Sequence, residues 1–295
     1  MKGNTLAFAL AALTCALPGS GAAAPVGGQF ELDGQATKPA HVAAFRVRDQ
    51  FHPREIETYV MLTATPVDKE AIQSSLDPYA TAINDPAVMG DNDYLAFWIK
   101  ANGETQMNAH VGGTQYVDSS GKIMGMQGSL AASCKENTAA RVACTVKTTK
   151  PVKSMDGPSW SLDVSFESDV AARPAGKPMA ADGEAPGKAL MALRGALAGK
   201  DLQKILGMLT PEQAKSYNED WRTPEENLES AKDILDMRVP KEPKITGGEW
   251  LADDRAVLEV EGAPYPNGKM LYLVEMRRVE GQWRYADSTP AGLLR

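Results

Sequence analysis

Trp160-Ser161-Leu162-Asp163-Val164-Ser165-Phe166 is followed, from Ala171 to Gly187, by AARPAGKPMAADGEAPG. The first stretch alternates apolar and polar residues at period two. That spacing predicts a strand with one buried face and one wet face. The second stretch is mostly Ala, Pro and Gly and has little to bury, which predicts a linker over 171–186. The two stretches together divide the chain. Strand signals dominate before them; helices and then strands follow.

Toward the N-terminus, further strands are predicted at Gln29–Leu32, His41–Val47, Glu57–Thr63, Tyr94–Lys100, Gln106–Val111, Lys122–Gln127, Gly128–Cys134 and Arg141–Thr148. Asn102-Gly103, Gly112-Gly113, Ser120-Gly121 and Asp156-Gly157 are turn signals between them. One helix is predicted from Asp68 to Leu76, with Asp68 as its cap. Many short strands with frequent Gly turns predict an all-β antiparallel sandwich or barrel over 27–170.

Toward the C-terminus, Leu190, Leu193 and Leu197 fall at helical spacing, and Asp201 can cap a helix carrying Leu202, Ile205, Leu206 and Leu209. Thr210-Pro211-Glu212-Gln213 and Thr223-Pro224-Glu225-Glu226 both read as capping boxes with proline at the first helical position. Strands are predicted at Lys244–Leu251, Arg255–Glu261, Lys269–Val279 and Gln282–Ser288, joined as a meander. Gly247-Gly248 marks a bulge. These elements predict an α+β cone over 187–295, with helices packed on a curved antiparallel sheet.

The start of the chain carries an address. Lys2, an apolar run from Leu6 to Leu17, a Pro18-Gly19 break and Ala22-Ala23-Ala24 read as a signal peptide over 1–24. The run is shorter than the ~20 residues that span a bilayer as a helix, and no later segment reads as transmembrane. The expected location is periplasmic or secreted. A lipid-anchored form through Cys15 is not expected, because Thr14 poorly fits the small residue that lipidation requires. The formal charge of −7 argues against a nucleic-acid partner, which would need a basic stripe. Removing the signal leaves two cysteines, Cys134 and Cys144. In an exported protein an even pair predicts a disulfide. Each lies on a strand, in step with Leu130 and Ala132 or with Val142 and Val146, so both sulfurs should share one sheet face. The bridge should contribute ~2–3 kcal/mol.

The C-terminal third carries Lys244-Ile245-Thr246-Gly247-Gly248-Glu249, Arg255-Ala256-Val257-Leu258-Glu259-Val260 and Glu280-Gly281-Gln282-Trp283-Arg284 behind two or three helices. In this it resembles the nuclear-transport-factor-2-like superfamily, also called SnoaL-like or ketosteroid-isomerase-like. It departs from that pattern in the short interval Tyr217 to Arg222, where the superfamily usually places a strand. The N-terminal part is similar to β-rich domains of exported bacterial proteins. The resemblance implies a pocket between helices and sheet, in a superfamily that runs from isomerases and dehydratases to proteins without chemistry.

Met270, Tyr272, Val274 and Met276 share one strand face, which Trp283 and Tyr285 extend. A ligand site is therefore expected at Tyr272, Met276, Trp283 and Tyr285. Asp287, in step with Trp283 and Tyr285, is the one candidate proton carrier. The more common reading of such a stripe is packed core with a solvated acid at its end. His110, Met124 and Met126, with Met107 nearby, could gather soft ligands for copper, although methionine also simply fills cores. Asp91-Asn92-Asp93 lacks the remaining ligands of a calcium loop and reads as a turn. No Gly-x-Ser-x-Gly elbow occurs. The sequence therefore points to an exported cell-envelope protein with no cofactor, binding a protein partner or a small apolar ligand without catalysis. The alternatives are proton transfer in the cone pocket and periplasmic copper carriage.

Overall fold

The computed structural model describes residues 26–49, 51–123, 126–153, 157–263 and 268–294. Residues 1–24, read above as a signal peptide, with Cys15 among them, and Met124 lie outside the described residues. The elements of the first half, in chain order, are β1 (Gly27–Leu32), β2 (Gln35–Thr37), β3 (His41–Arg48), β4 (Ile56–Thr63), α1 (Lys69–Ser74), α2 (Pro78–Ile83), β5 (Tyr94–Ile99), β6 (Thr105–Val111), β7 (Thr114–Ser119), β8 (Lys122–Ile123), β9 (Met126–Gln127), β10 (Leu130–Asn137), β11 (Arg141–Thr148), β12 (Val152–Lys153) and β13 (Ser159–Ala171). The second half contributes β14 (Lys177–Pro178), α3 (Glu184–Leu197), α4 (Leu202–Leu206), α5 (Pro211–Ser216), α6 (Pro224–Arg238), β15 (Lys241–Ala252), β16 (Arg255–Ala263), β17 (Lys269–Val279) and β18 (Gln282–Leu294).

In the first half eleven strands form one sheet, in the order β10-β11-β13-β3-β4-β5-β6-β7, with β1 and β12 attached at β13 and β2 paired to β1, while β8 and β9 make a separate pair. The large sheet's two ends meet across a shared interior. Phe97 of β5 stacks on Phe166 of β13 with centroids 5.6 Å apart. Tyr116 of β7 packs against Phe30 of β1 and Trp160 of β13. The alternation read at Trp160–Phe166 is realised here, with Trp160, Leu162, Val164 and Phe166 all buried.

Two features correct the expectation of an all-β antiparallel sandwich or barrel. The 13-residue β13 leaves its antiparallel partners at its end and pairs in parallel with β3, Val170 opposite Ala44 and Ala171 opposite Phe45. Helices α1 and α2 cover the outer face of the sheet, where Phe45, Tyr59 and Met61 pack with Ile72 and Ala82. The strand β4 is thus buried on both faces, from Glu57 through Thr63. Asp68 caps α1 through the Ala71 amide, and Asp77 caps α2 through that of Ala80. The segment expected as a single strand over Lys122–Gln127 is instead the two-residue pair β8 and β9.

Cys134 and Cys144 face each other across β10 and β11, Cα atoms 4.0 Å apart and sulfurs 2.02 Å apart. Such direct opposition is what shared parity on a hairpin requires.

The second half holds the five-stranded sheet β14-β15-β16-β17-β18. Leu190, Leu193 and Leu197 of α3, Ile205 of α4, and Ala231 and Leu235 of α6 are buried against Leu258, Tyr272, Val274 and Met276. Each such leucine contributes about 1.5–3 kcal/mol on burial. The α+β cone expected here is nevertheless corrected. The described residues are mostly β, 49% strand against 20% helix, with six short helices among them. Strands β15, β17 and β18 run 12, 11 and 13 residues, while α4 and α5 span only 5 and 6. The face of β17 away from the helices is also occupied: Leu271 and Glu275 are buried there. Hence the sheet is not closed by helices alone; its free face and its strand ends are turned to other parts of the chain.

Thr223 forms the full capping box with Glu226. Thr210 does not cap with its side chain; its amide is instead bonded to the Tyr285 carbonyl, tying the start of α5 to β18. The register of β15 on β16 shifts between Ile245 and Gly247, at the expected bulge. Segment 171–186 is docked rather than free. β14 pairs with β15, Arg173 bridges to Glu249, and the Gly176 amide donates to Glu249 Oε2 at 2.8 Å.

Candidate functional site

The residues singled out in the second sheet sit in its core. Tyr272, Met276 and Tyr285 are 2%, 1% and 0% exposed beneath the helices. Trp283 packs on Trp250 at a tilt of 60°, centroids 5.4 Å apart. Tyr285 hydrogen-bonds to Ser288 Oγ at 2.7 Å, and Ser288 Oγ donates to the Arg238 carbonyl at 2.8 Å. Burial pushes the Tyr285 phenol well up from its ordinary value.

Asp287 is not beside these rings. The register of β17 on β18 shifts by one residue at Ala286, so Met276 faces Tyr285 while Val274 faces Ser288 and Glu275 faces Asp287. The bulge swaps Ser288 for Asp287 beneath the helices. Asp287 is half exposed and pairs with Arg238 at 3.0 Å.

His110 stacks on Tyr94 and bonds to the Asn92 carbonyl through Nδ1 at 3.1 Å. Met107 is three residues earlier on β6 and buried in the interior, on the opposite face. The side chain of Met126 and the whole of Met124 lie outside the described residues. Asp93 accepts from Thr37 Oγ1 and the Gly112 amide, a loop-bracing role.

Sequence reading did not register the loop between β3 and β4. Ligand atoms of Asp49, His52 and Glu55 lie within 4.8 Å of one another, the geometry a metal ion could use. Asp49 Oδ1, however, already accepts the amides of Phe51 at 2.6 Å and His52 at 2.9 Å. Beside it, Glu57 is buried, and its Oε1 has no hydrogen-bond partner. Burial first, and then the neighbouring Asp49 carboxylate, push Glu57 up to about 7. For Asp49 itself burial acts upward, but the two amides and Glu57 outweigh it and hold the group below its ordinary value. In the second sheet Glu275 is buried between Arg255 and Arg277, at 2.8 and 2.7 Å. Burial would raise it; the two guanidinium groups overcome that and hold it low. This is a structural knot between β16 and β17.

Among the described residues, a concave feature of about 730 Å³ lies between the two halves. One wall is the β3–β4 hairpin, with Val47, Phe51 and Ile56. The corner between α1 and α2 adds Leu76, Pro78 and Tyr79. Residues 171–175 close a third side, and Met270, Leu273, Pro290 and Leu293 close the fourth. Phe51, Ile56 and Leu293 are 53%, 39% and 42% exposed, so the cavity opens through apolar side chains. Polar ties surround it. Arg48 pairs with Glu259 at 2.7 Å, and Thr289 donates to Asp77 Oδ2 at 3.0 Å. Arg54 pairs with Glu261 at 2.7 Å. These bonds join the first half to the second across the cavity.

None of Tyr272, Met276, Trp283, Tyr285 or Asp287 lines this space. Its walls come from six separated stretches, and the last of them was invisible in sequence. Strand β18 continues six residues beyond Ser288, through Pro290. As an edge strand it tolerates a proline, which has no ladder amide to give. The one usable signal was the unexplained apolar content of Phe51, Ile56 and Leu293 at positions assigned to turns and tails.

The arrangement offers an apolar chamber with a few fixed polar groups, the usual make-up of a small-molecule site. Compared with known proteins, the chain matches no protein-family model and no curated protein, so the superfamily resemblance rests on its quoted motifs alone.

Proposed function

We propose that this is an exported, non-catalytic binding module that holds a small apolar ligand in the cavity between its two halves. The observation that carries the reading is the 730 Å³ chamber with exposed Phe51, Ile56 and Leu293 at its walls. Isolated apolar residues on a surface are ordinary, but several gathered around one concavity mark a contact site. A periplasmic or secreted setting is supported by the Cys134–Cys144 pair, since such bridges persist in oxidising compartments. Among the described residues no helix is long and apolar enough to cross a membrane, which is compatible with that setting.

An environment-sensitive apolar dye tests this. It should bind the wild-type protein with one saturable site. Leu273→Trp, which fills the chamber, should weaken binding by about tenfold or more, the loss of roughly 1.4 kcal/mol of contact. Met276→Leu, a volume-conserving change in the buried core, should leave it unaltered. Equal binding by all three proteins would place the dye elsewhere and end the proposal.

A further inference from the structure

Five charged side chains line the chamber: Arg46, Arg48, Asp77, Arg173 and Glu249. Four of them are already engaged. Arg48 is paired with Glu259 and Arg173 with Glu249. Glu249 spends its second oxygen on the Gly176 amide. Asp77 accepts the Ala80 amide on one oxygen and the Thr289 hydroxyl on the other. Arg46 differs. Among the described residues it makes no ion pair; it donates only to Thr58 Oγ1 at 2.8 Å and to the Ile56 carbonyl at 3.1 Å. A guanidinium has five N–H groups, so donors remain.

Arg46 is also held in place. Thr58, fully buried, passes its own hydroxyl proton to Asn137 Oδ1 at 2.9 Å, and Asn137 Nδ2 donates to the Lys100 carbonyl at 2.9 Å. This chain fixes Thr58 Oγ1 as an acceptor for Arg46 and so orients the guanidinium. From the geometry we infer that the chamber takes a single-chain amphiphile whose anionic head, a carboxylate or a phosphate, pairs with Arg46 while its hydrocarbon lies against Phe51, Ile56 and Leu273. The inference rests on the ligand-binding reading above and deepens it. Burial lowers the Arg46 pKa, and among the described residues no carboxylate pairs with it, as expected of a cation whose counter-ion arrives with the ligand.

Displacement of the bound dye by dodecanoate, dodecyl phosphate and dodecanol tests the head group. At least one of the two anions should displace at about tenfold lower concentration than the alcohol, since a bond to a charged group exceeds a neutral one by about that factor. Preference for the carboxylate identifies a fatty acid as the source; preference for the phosphate identifies a phospholipid-type head. Arg46→Gln should abolish the preference without changing dodecanol, and Arg46→Lys should retain part of it. If dodecanol competes as well as both anions in the wild-type protein, or if Arg46→Gln keeps the preference, the head-group assignment is overturned while the chamber stands. If no chain displaces the dye, both fall.

Discussion

At the residue scale, Glu57 is the group whose protonation the fold controls most visibly. Its folded value of about 7 stands above the ordinary 4.5. A carboxyl raised in this way stabilises the fold fully below pH 4.5, and that contribution is lost as pH rises through about 7. Asp49, held below its ordinary 3.8, acts in the opposite sense and only below that value. Urea unfolding between pH 5 and 8 should therefore show stability declining, with a Glu57 component on the order of 2–3 kcal/mol. Glu57→Gln should flatten most of that decline. An unchanged slope in the variant would mean that Glu57 titrates alike in both states. Glu57 follows Ile56, and Asp49 lies two residues before Phe51, so this pair sits in the hairpin that walls the chamber. Neither its burial nor its proximity was legible, because Asp49 and Glu57 are eight positions apart, on either side of a turn that the sequence left undefined.

At the element scale, local signals were read well where one interaction determines them. Asp68 caps its helix, Thr223 and Glu226 form their box, and the period-two run of β13 is buried on one face. Glu280 and Gly281 take φ of 52° and 82°, the turn that joins β17 to β18 in two residues. The failures are equally local in appearance. Asp77-Pro78 is a cap followed by a first-turn proline, yet α2 was missed because six residues carry too little periodicity. Thr210 has the sequence of a capping box, but its bond to Tyr285 belongs to another element. The Cys134–Cys144 bridge closes a short hairpin with a separation of 10 residues. Replacing both by serine should lower urea stability by ~2–3 kcal/mol without changing the strand register, which amide exchange of β10 and β11 reports. Loss of less than about 0.5 kcal/mol would show that the hairpin is held by its ladder alone.

At the scale of the whole molecule, the segment 171–186 decides how the halves are related. It is attached to both halves. Gln73 Nε2 donates to the Ala172 carbonyl from the first half, and Arg173 and Gly176 reach Glu249 in the second. Elastase should thus cut slowly near Ala171 and Ala172 in the wild-type protein, although the composition there is that of a flexible linker. Glu249→Ala, which removes both contacts, should speed cleavage several-fold; rapid cleavage of the wild-type protein would show that the docking does not persist in solution.

The amino-acid sequence by itself determined the elements whose partners lie within a few positions: alternating strands, helix caps, two-residue turns and the pairing of the two cysteines. Those depend on backbone period and on short-range hydrogen bonds. Only tertiary structure decided that β13 turns parallel to β3, that Ala286 bulges and puts Ser288 rather than Asp287 beneath the helices, and that a chamber opens between the halves. Each of these depends on residues more than a hundred positions apart or on which of two apolar faces finds a cover. Such choices are made by burial summed over the whole chain, which no local pattern encodes.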